Sequence, residues 1–236
     1  MSLPTSGHAL QEVVRSRFAQ AERLEREISE LRETWSLRRH PFLQRWLNGN
    51  LGSGPLQAFA TEHYHAIVSL IGVADRAYRQ AEGLLAEQLE RYAGDQQRSL
   101  ELWLQFAAAT GWTGAGWYFG EDPLPETVAC ARSWCGEGHS LAEDLVTIWA
   151  VESALAPLAA VQLDALNHRY GFDASATRYF AQRARHGPEA AAVGRAALTS
   201  LLPVTSPLEL VCHAELTYRS YLELLDGVEA FSDLAD

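Results

Sequence analysis

The sequence contains no lysine: all 19 basic residues are arginine, set against 30 acidic residues. Without a lysine amine there is no Schiff base to a carbonyl substrate and no covalently held pyridoxal phosphate. The formal net charge of −11 leaves no basic face for nucleic acid or an anionic membrane, so neither is expected as a partner. Cysteine is scarce. Cys130, Cys135 and Cys212 form no Cys-x-x-Cys pair for zinc or dithiol chemistry, and an odd, unpaired set points to a reducing compartment. No basic segment followed by an apolar run opens the chain, and no apolar run approaches 18 residues. Neither a secretory leader nor a membrane span is expected, and the expected location is the cytoplasm. No segment alternates with a two-residue period and β-branched enrichment, so no strand is expected. Internal repeats and low-complexity tracts are lacking too.

What is present is helical patterning. The 236 residues, 47% of them apolar, are enough for one large domain with its own core. Leu10, Val14, Phe18, Ala21, Leu24, Ile28, Leu31 and Trp35 step by three and four, one apolar stripe on a long first helix. Pro41 sits at the first turn of a short helix reaching Leu47. Pro55 opens a helix with Leu56, Phe59, Ala60, His63, Ile67, Leu70 and Ile71 on related faces. A further helix covers 84–110 and ends in the glycine-rich run from Gly111 to Gly116. Pro125 starts another. Ser140 with Glu143 makes a capping box for the most apolar helix, 141–167, which Pro157 should kink or locally widen. Asp173 or Ser175 can cap the helix that follows, and Pro188 inside it should kink or divide it. Pro203 and Pro207 bracket a turn before a last helix over 208–229. The expectation is a single all-α domain over 1–236, a bundle of seven to nine helices, with residues 1–36 as a helical extension packed on it. The surplus apolar stripe on the first helix suggests a homodimer.

Several polar residues stand out. Glu152 lies among Trp149, Ala150, Val151, Ala154 and Leu155, where an unpaired carboxylate would be costly, so it is read as pocket-facing. His40 before Pro41 suits either a pocket base or a hydrogen bond at a helix start. His65, beside Tyr64, is either a general base or groove lining. His213 and Tyr218 on the last helix, with Tyr64 and Trp149, are candidates for substrate binding. Cys135 has no histidine at a suitable local spacing to activate it and reads as a small core residue.

From His40 to Gly227 a series of local runs resembles the haem-oxygenase-like helical family that includes pyrroloquinoline-quinone synthase (PqqC), TenA thiaminase II and the chlamydial CADD-type dimetal oxygenases. These runs are His40-Pro41-Phe42-Leu43-Gln44-Arg45, Tyr64-His65, Leu102-Trp103-Leu104-Gln105-Phe106, Trp134-Cys135-Gly136, Glu152-Ser153, Tyr170-Gly171-Phe172 and Tyr179-Phe180. The CADD-type branch implies carboxylate and imidazole ligands for two metal ions. Carried over, its positions fall on Tyr92, Ser99, Glu152, Arg183, Gly187 and Ala190. Only Glu152 keeps a ligand atom suited to the task, so no metal site is expected; His186 and Glu189 lie out of register. The TenA branch implies a cysteine within the long apolar helix, and 145–149 has none.

The PqqC branch is metal-free, and its Tyr-Phe-x-x-Arg pattern matches Tyr179 to Arg183. That resemblance implies a cofactor-free oxidase of a small acidic or phenolic molecule in cofactor or natural-product biosynthesis. By that resemblance His40, Glu152, Tyr179 and Arg183 line the pocket, with no cofactor; with His65 they make up the candidate catalytic residues. Two other readings stand beside it: a non-catalytic relative that binds a small molecule or a protein, and a CADD-like dimetal oxygenase with atypical ligands. A catalytic centre requires histidine and tyrosine groups converging with Arg183 and Glu152 on one cavity, whereas a binding relative should have a closed interior with those groups paired off.

Overall fold

The computed structural model describes residues 6–112, 122–202 and 206–233. The glycine-rich stretch from residue 113 onward and Pro203 lie outside the described residues. Within them the three-and-four spacing becomes eight α-helices: α1 (Ser6–Thr34), α2 (Pro41–Leu47), α3 (Ser53–Gln80), α4 (Gly83–Ala109), α5 (Pro125–Cys135), α6 (Leu141–His168), α7 (Arg178–Leu201) and α8 (Pro207–Asp233). A short 3-10 turn, Leu37–Arg39, links α1 to α2, and no strand occurs among the described residues.

The helix starts follow local chemistry. Pro41, Pro125 and Pro207 open α2, α5 and α8, where a missing N–H costs nothing. The Ser140 hydroxyl accepts from the Glu143 N–H at 3.3 Å while the Glu143 carboxylate accepts from the Ser140 N–H at 2.7 Å, the capping box read from sequence. Asp173 acts one step earlier than expected. Its Oδ1 accepts from the N–H groups of Ser175 and Ala176, tightening the turn before α7, whose own cap residue is Thr177 with no side-chain cap bond.

Pro188 does not divide α7, and α6 likewise runs unbroken through Pro157. Tertiary packing overrides the local penalty. A Cβ at Gly187 would stand 2.5 Å from the Ala156 Cβ, and one at Gly194 would stand 2.9 Å from the Leu145 carbonyl oxygen. These two glycines, two turns apart, let α7 lie directly along α6.

The core gathers around α6. Leu145, Val146, Ile148, Ala150, Val151, Leu158 and Leu166 are all buried. Among the described residues α6 is long and apolar enough to cross a membrane, which corrects the expectation that no stretch is; most of it is buried inside the bundle, the character of a core helix. An aromatic wedge fills one end: Trp46 meets Phe59 edge-on at 5.0 Å between ring centroids, and Phe106 meets Phe180 at 4.9 Å. Helix α1 packs on α8, α7 and α6. Leu24 and Ile28 enter the core, Ala21, Leu31 and Trp35 pack at its edge, and Phe18 stays 60% exposed. Only the backbone is described at Leu10 and Val14.

Candidate functional site

Five helices send polar side chains into the centre of the bundle. Glu152 comes from α6, Arg183 and Tyr179 from α7, Tyr92 and Gln96 from α4, and His63 from α3, with Tyr221 of α8 behind it; all are buried. The Arg183 guanidinium donates to Glu152 Oε1 at 3.0 Å. The same oxygen accepts from the Tyr92 hydroxyl at 2.7 Å and from the Gln96 amide at 3.2 Å. The other arm of Arg183 donates to the Tyr179 hydroxyl at 3.2 Å. Tyr179 Oη lies 3.1 Å from His63 Nε2, and His63 Nδ1 lies 2.9 Å from Tyr221 Oη.

Protonation follows from this order. Arginine can only donate, so the Tyr179 oxygen accepts and its proton goes to His63 Nε2. His63 then carries its proton on Nδ1 and donates to Tyr221. Burial, helped by the positive charge of Arg183, holds His63 well below the usual imidazole range. Burial also raises the phenols of Tyr92, Tyr179 and Tyr221; at Tyr92 the neighbouring Glu152 charge adds to it. Burial alone would lower Arg183, but Glu152 together with Tyr179, Tyr92 and Tyr221 more than offsets that and holds the guanidinium above its usual range. The centre at neutral pH is therefore one ion pair capped by neutral tyrosine and histidine groups.

The six positions implied by the dimetal resemblance do meet in space. Tyr92, Ser99, Glu152, Arg183, Gly187 and Ala190 all line one cavity of about 30 Å³, together with Asp95, Gln96, Gln182 and His186. The resident groups do not fit a metal pair. Arg183 brings a permanent cation onto Glu152, the one carboxylate among the six positions, Gly187 and Ala190 carry no ligand atom, Ser99 accepts a bond from Gln182 at 3.1 Å, and Asp95 at the cavity's edge is paired with Arg98. Among the described residues no group of three or more His, Cys, Asp or Glu converges to hold a metal ion. A second cavity, of about 10 Å³, lies between Arg183, Tyr179, His63, Trp103 and Tyr221. Both have room for a water or two, far below the roughly 300 Å³ at which small-molecule sites begin.

The other sequence candidates lie elsewhere. His40 caps α2: its Nδ1 accepts from the Phe42 N–H at 3.2 Å and its Nε2 meets Asp226 at 3.0 Å. Tyr64 and His65 are half-buried on α3, ring to ring at 5.3 Å, outside the central network. His213 pairs with Thr147 at 2.8 Å, and burial beside His139 lowers its pKa to about 4. It belongs to a separate polar cluster built on the Arg76–Asp144 pair. Tyr218 meets the Ser153 hydroxyl at 3.2 Å. His186, expected to turn away, borders the small central cavity.

The residue missed was His63, and the signal for it existed. It stands four residues after Phe59 and four before Ile67, on the apolar stripe of α3, whereas His65 stands off it. Tyr221 occupies the same kind of position in α8, with Thr217 and Leu225 four residues to either side and all three buried.

Two larger grooves flank the closed centre. One, of about 360 Å³, runs between α4, α6 and α7 and shares Tyr92, Asp95, His186 and Ala190 with the small cavity. The other, of about 350 Å³, runs between α1, α6 and α7 over Trp149, Ala156, Pro157 and Pro188.

Comparison with known proteins adds ancestry to this geometry. Residues 28–200 match the sequence model of the TENA/THI-4/PQQC family. Over 140 residues the chain is 28% identical to the 4-aminobenzoate synthases of Chlamydia muridarum and Chlamydia trachomatis serovar D, covering 56% of this chain. It spans 59% and 60% of the length of those two relatives. A domain of unknown function with a heme oxygenase-like fold from Shewanella denitrificans superposes with a TM-score of 0.71 at 16% identity, over 90% of this chain and 93% of that one. A TenA homolog from Pseudomonas syringae gives 0.76 at 14%, over 90% and 93%. The TenA homologue of P. horikoshii gives 0.66 at 15%, over 92% and 97%. The fold is haem-oxygenase-like.

Proposed function

This chain belongs to the TENA/THI-4/PQQC family, and on that premise we propose that it is a metal-free, non-catalytic member that binds a small molecule in a groove beside a closed centre. One observation carries the reading: the Arg183 guanidinium sits 3.0 Å from Glu152 in the middle of the former ligand positions. A cation fixed to the protein stands where the dimetal branch has metal ions. Gln96, Tyr92, Tyr179 and His63 are turned to the ion pair and to one another, leaving cavities of about 30 and 10 Å³. Chemistry on a substrate needs a reacting atom within about 3 Å of such groups, and these spaces exclude any molecule of that size. The grooves outside the centre are of ligand size.

A second reading, the metal-free oxidase, is favoured by one specific feature. The α4–α6–α7 groove shares the wall of Tyr92 with the cavity over Glu152 and Arg183. Movement of Tyr92 would join the two into a space where a phenolic acid meets the guanidinium, a carboxylate and a tyrosine–histidine pair. The readings separate in two measurements on protein purified from iron- and manganese-supplemented medium: metal content, and oxygen uptake with a panel of phenolic and aminoaryl acids. Less than a tenth of a metal ion per chain and no uptake are expected. Metal at one or more ions per chain would overturn the metal-free reading. Uptake that vanishes in Arg183→Gln without metal would transfer the assignment to the oxidase.

A further inference from the structure

The α1–α6–α7 groove touches none of the tyrosine or histidine groups of the centre; of the central residues only Glu152 borders it, 1% exposed and already held by Arg183. Its two walls differ in chemistry. Trp149, Ala156, Pro157, Pro188 and Ala191 form an apolar floor built from three ring systems. The facing helix, α1, presents Glu25, Ser29 and Arg32 on one side, three and four residues apart. Ser153 of α6 adds a hydroxyl that already bonds the Ala150 carbonyl oxygen at 3.0 Å and Tyr218 Oη at 3.2 Å.

The charges are arranged along the groove. Glu25 and Arg195 bridge α1 to α7 at 2.5 Å, with both side chains about half exposed (45% and 49%), and so close one end. Arg32 stands seven residues further along α1, about two turns or 10 Å away. It meets Glu33 at 3.5 Å, a side chain itself 69% exposed, and contacts of that kind contribute little. A planar guanidinium is thus available beside an apolar floor, with the Ser29 hydroxyl one turn before it.

We propose that this groove is the ligand site and that it takes a small flat carboxylate, such as an arenecarboxylic acid. The carboxylate is held in the fork of Arg32, with Ser29 beside it, and the ring lies against Trp149, Pro157 and Pro188. Arginine matches a carboxylate with two parallel donors, and the floor offers flat faces for an unsaturated ring. A volume of about 350 Å³ is at the small end for organic ligands, which selects a single-ring molecule. The proposal rests on the binding reading above but is tested separately from it.

The experiment is calorimetric titration of the full chain with benzoate, and with benzamide and acetate as the uncharged and ringless comparisons. Benzoate is expected to bind at least tenfold more tightly than either. Arg32→Gln should bring benzoate down to the level of benzamide. Ala192→Phe, at an exposed position on the rim, should block all three while circular dichroism and thermal midpoint stay as in the wild type. Arg23→Gln, exposed on α1 but outside the groove, is expected to leave binding unchanged. Equal binding of benzoate and benzamide, no binding of benzoate, or benzoate binding that survives both Arg32→Gln and Ala192→Phe would overturn the proposal. A chain found to hold metal but still binding benzoate through Arg32 would overturn the metal-free reading while leaving this site intact.

Discussion

At Arg183 a permanent charge has been taken to 6% exposure beside a carboxylate at 1%. Desolvating both groups offsets most of their attraction, so the pair adds little net stability, yet removing one member leaves the other stranded. Arg183→Ala is expected to destabilise the fold by about 3–5 kcal/mol in urea unfolding. Arg183→Met with Glu152→Leu should recover most of that loss, because Tyr92 and Gln96 then lose a partner but no bare carboxylate remains. If the single and double variants lose the same stability, the pair is not coupled and the charge-replacement account fails. Arg183 and Glu152 are both legible in the sequence as polar intruders in apolar company. Their mutual approach follows from the matched register of the family, and no property of either residue alone gives it.

At the scale of elements, the α6–α7 pair is built on close approach. The Gly187 Cβ position is 2.5 Å from the Ala156 Cβ and 3.0 Å from Glu152 Oε2, neither of which can move without displacing a helix or breaking the ion pair's surroundings. Gly187→Ala, normally favoured in a helix interior, should here cost about 1–3 kcal/mol through overpacking. Chemical denaturation reads it; a neutral or stabilising result would mean the helices can separate. The same packing explains why Pro188 leaves α7 whole. Proline signals a break from local geometry, and the seam along α6 supplies enough contact to outweigh it. Helix α1 gives the converse case. Its stripe is visible in the sequence over 10–35, but whether the stripe faces its own bundle or a second copy depends on where α8 and α7 lie.

For the whole molecule, acid should be destabilising. His213 titrates at about 4 in the fold against an ordinary 6.5, and His63 is likewise held well below the imidazole range. Between pH 6.5 and 4 the unfolded chain binds more protons, so stability is full above about pH 6.5 and falls as pH drops towards 4. For His213 alone the loss is on the order of 3 kcal/mol, since each tenfold change in proton affinity is worth about 1.4 kcal/mol. His213→Gln, which can still meet the Thr147 hydroxyl, should flatten that part of the pH–stability curve; an unchanged slope would remove His213 as its source. Assembly is a second test. The stripe on α1 is largely used within the chain from Ala21 to Trp35, leaving Phe18 exposed. A homodimer through that end is expected to scatter light at twice 26.1 kDa and to fall to a monomer in Phe18→Glu. A wild-type monomer at micromolar concentration would end the dimer expectation.

The sequence by itself determined the helices, because periodicity, prolines and a capping box act within a few residues of one another. It also determined that no lysine chemistry is possible and that five of the six dimetal positions lack a suitable ligand, since these are matters of residue identity. The tertiary structure alone decided that His63 rather than His65 completes the central network, and that His40 caps a helix. It also closed the centre around an ion pair and placed the ligand-sized space in grooves to either side. Those outcomes depend on distances between residues as far apart in the chain as His63 and Tyr221, and on volumes left between packed helices. Neither quantity exists until the helices meet.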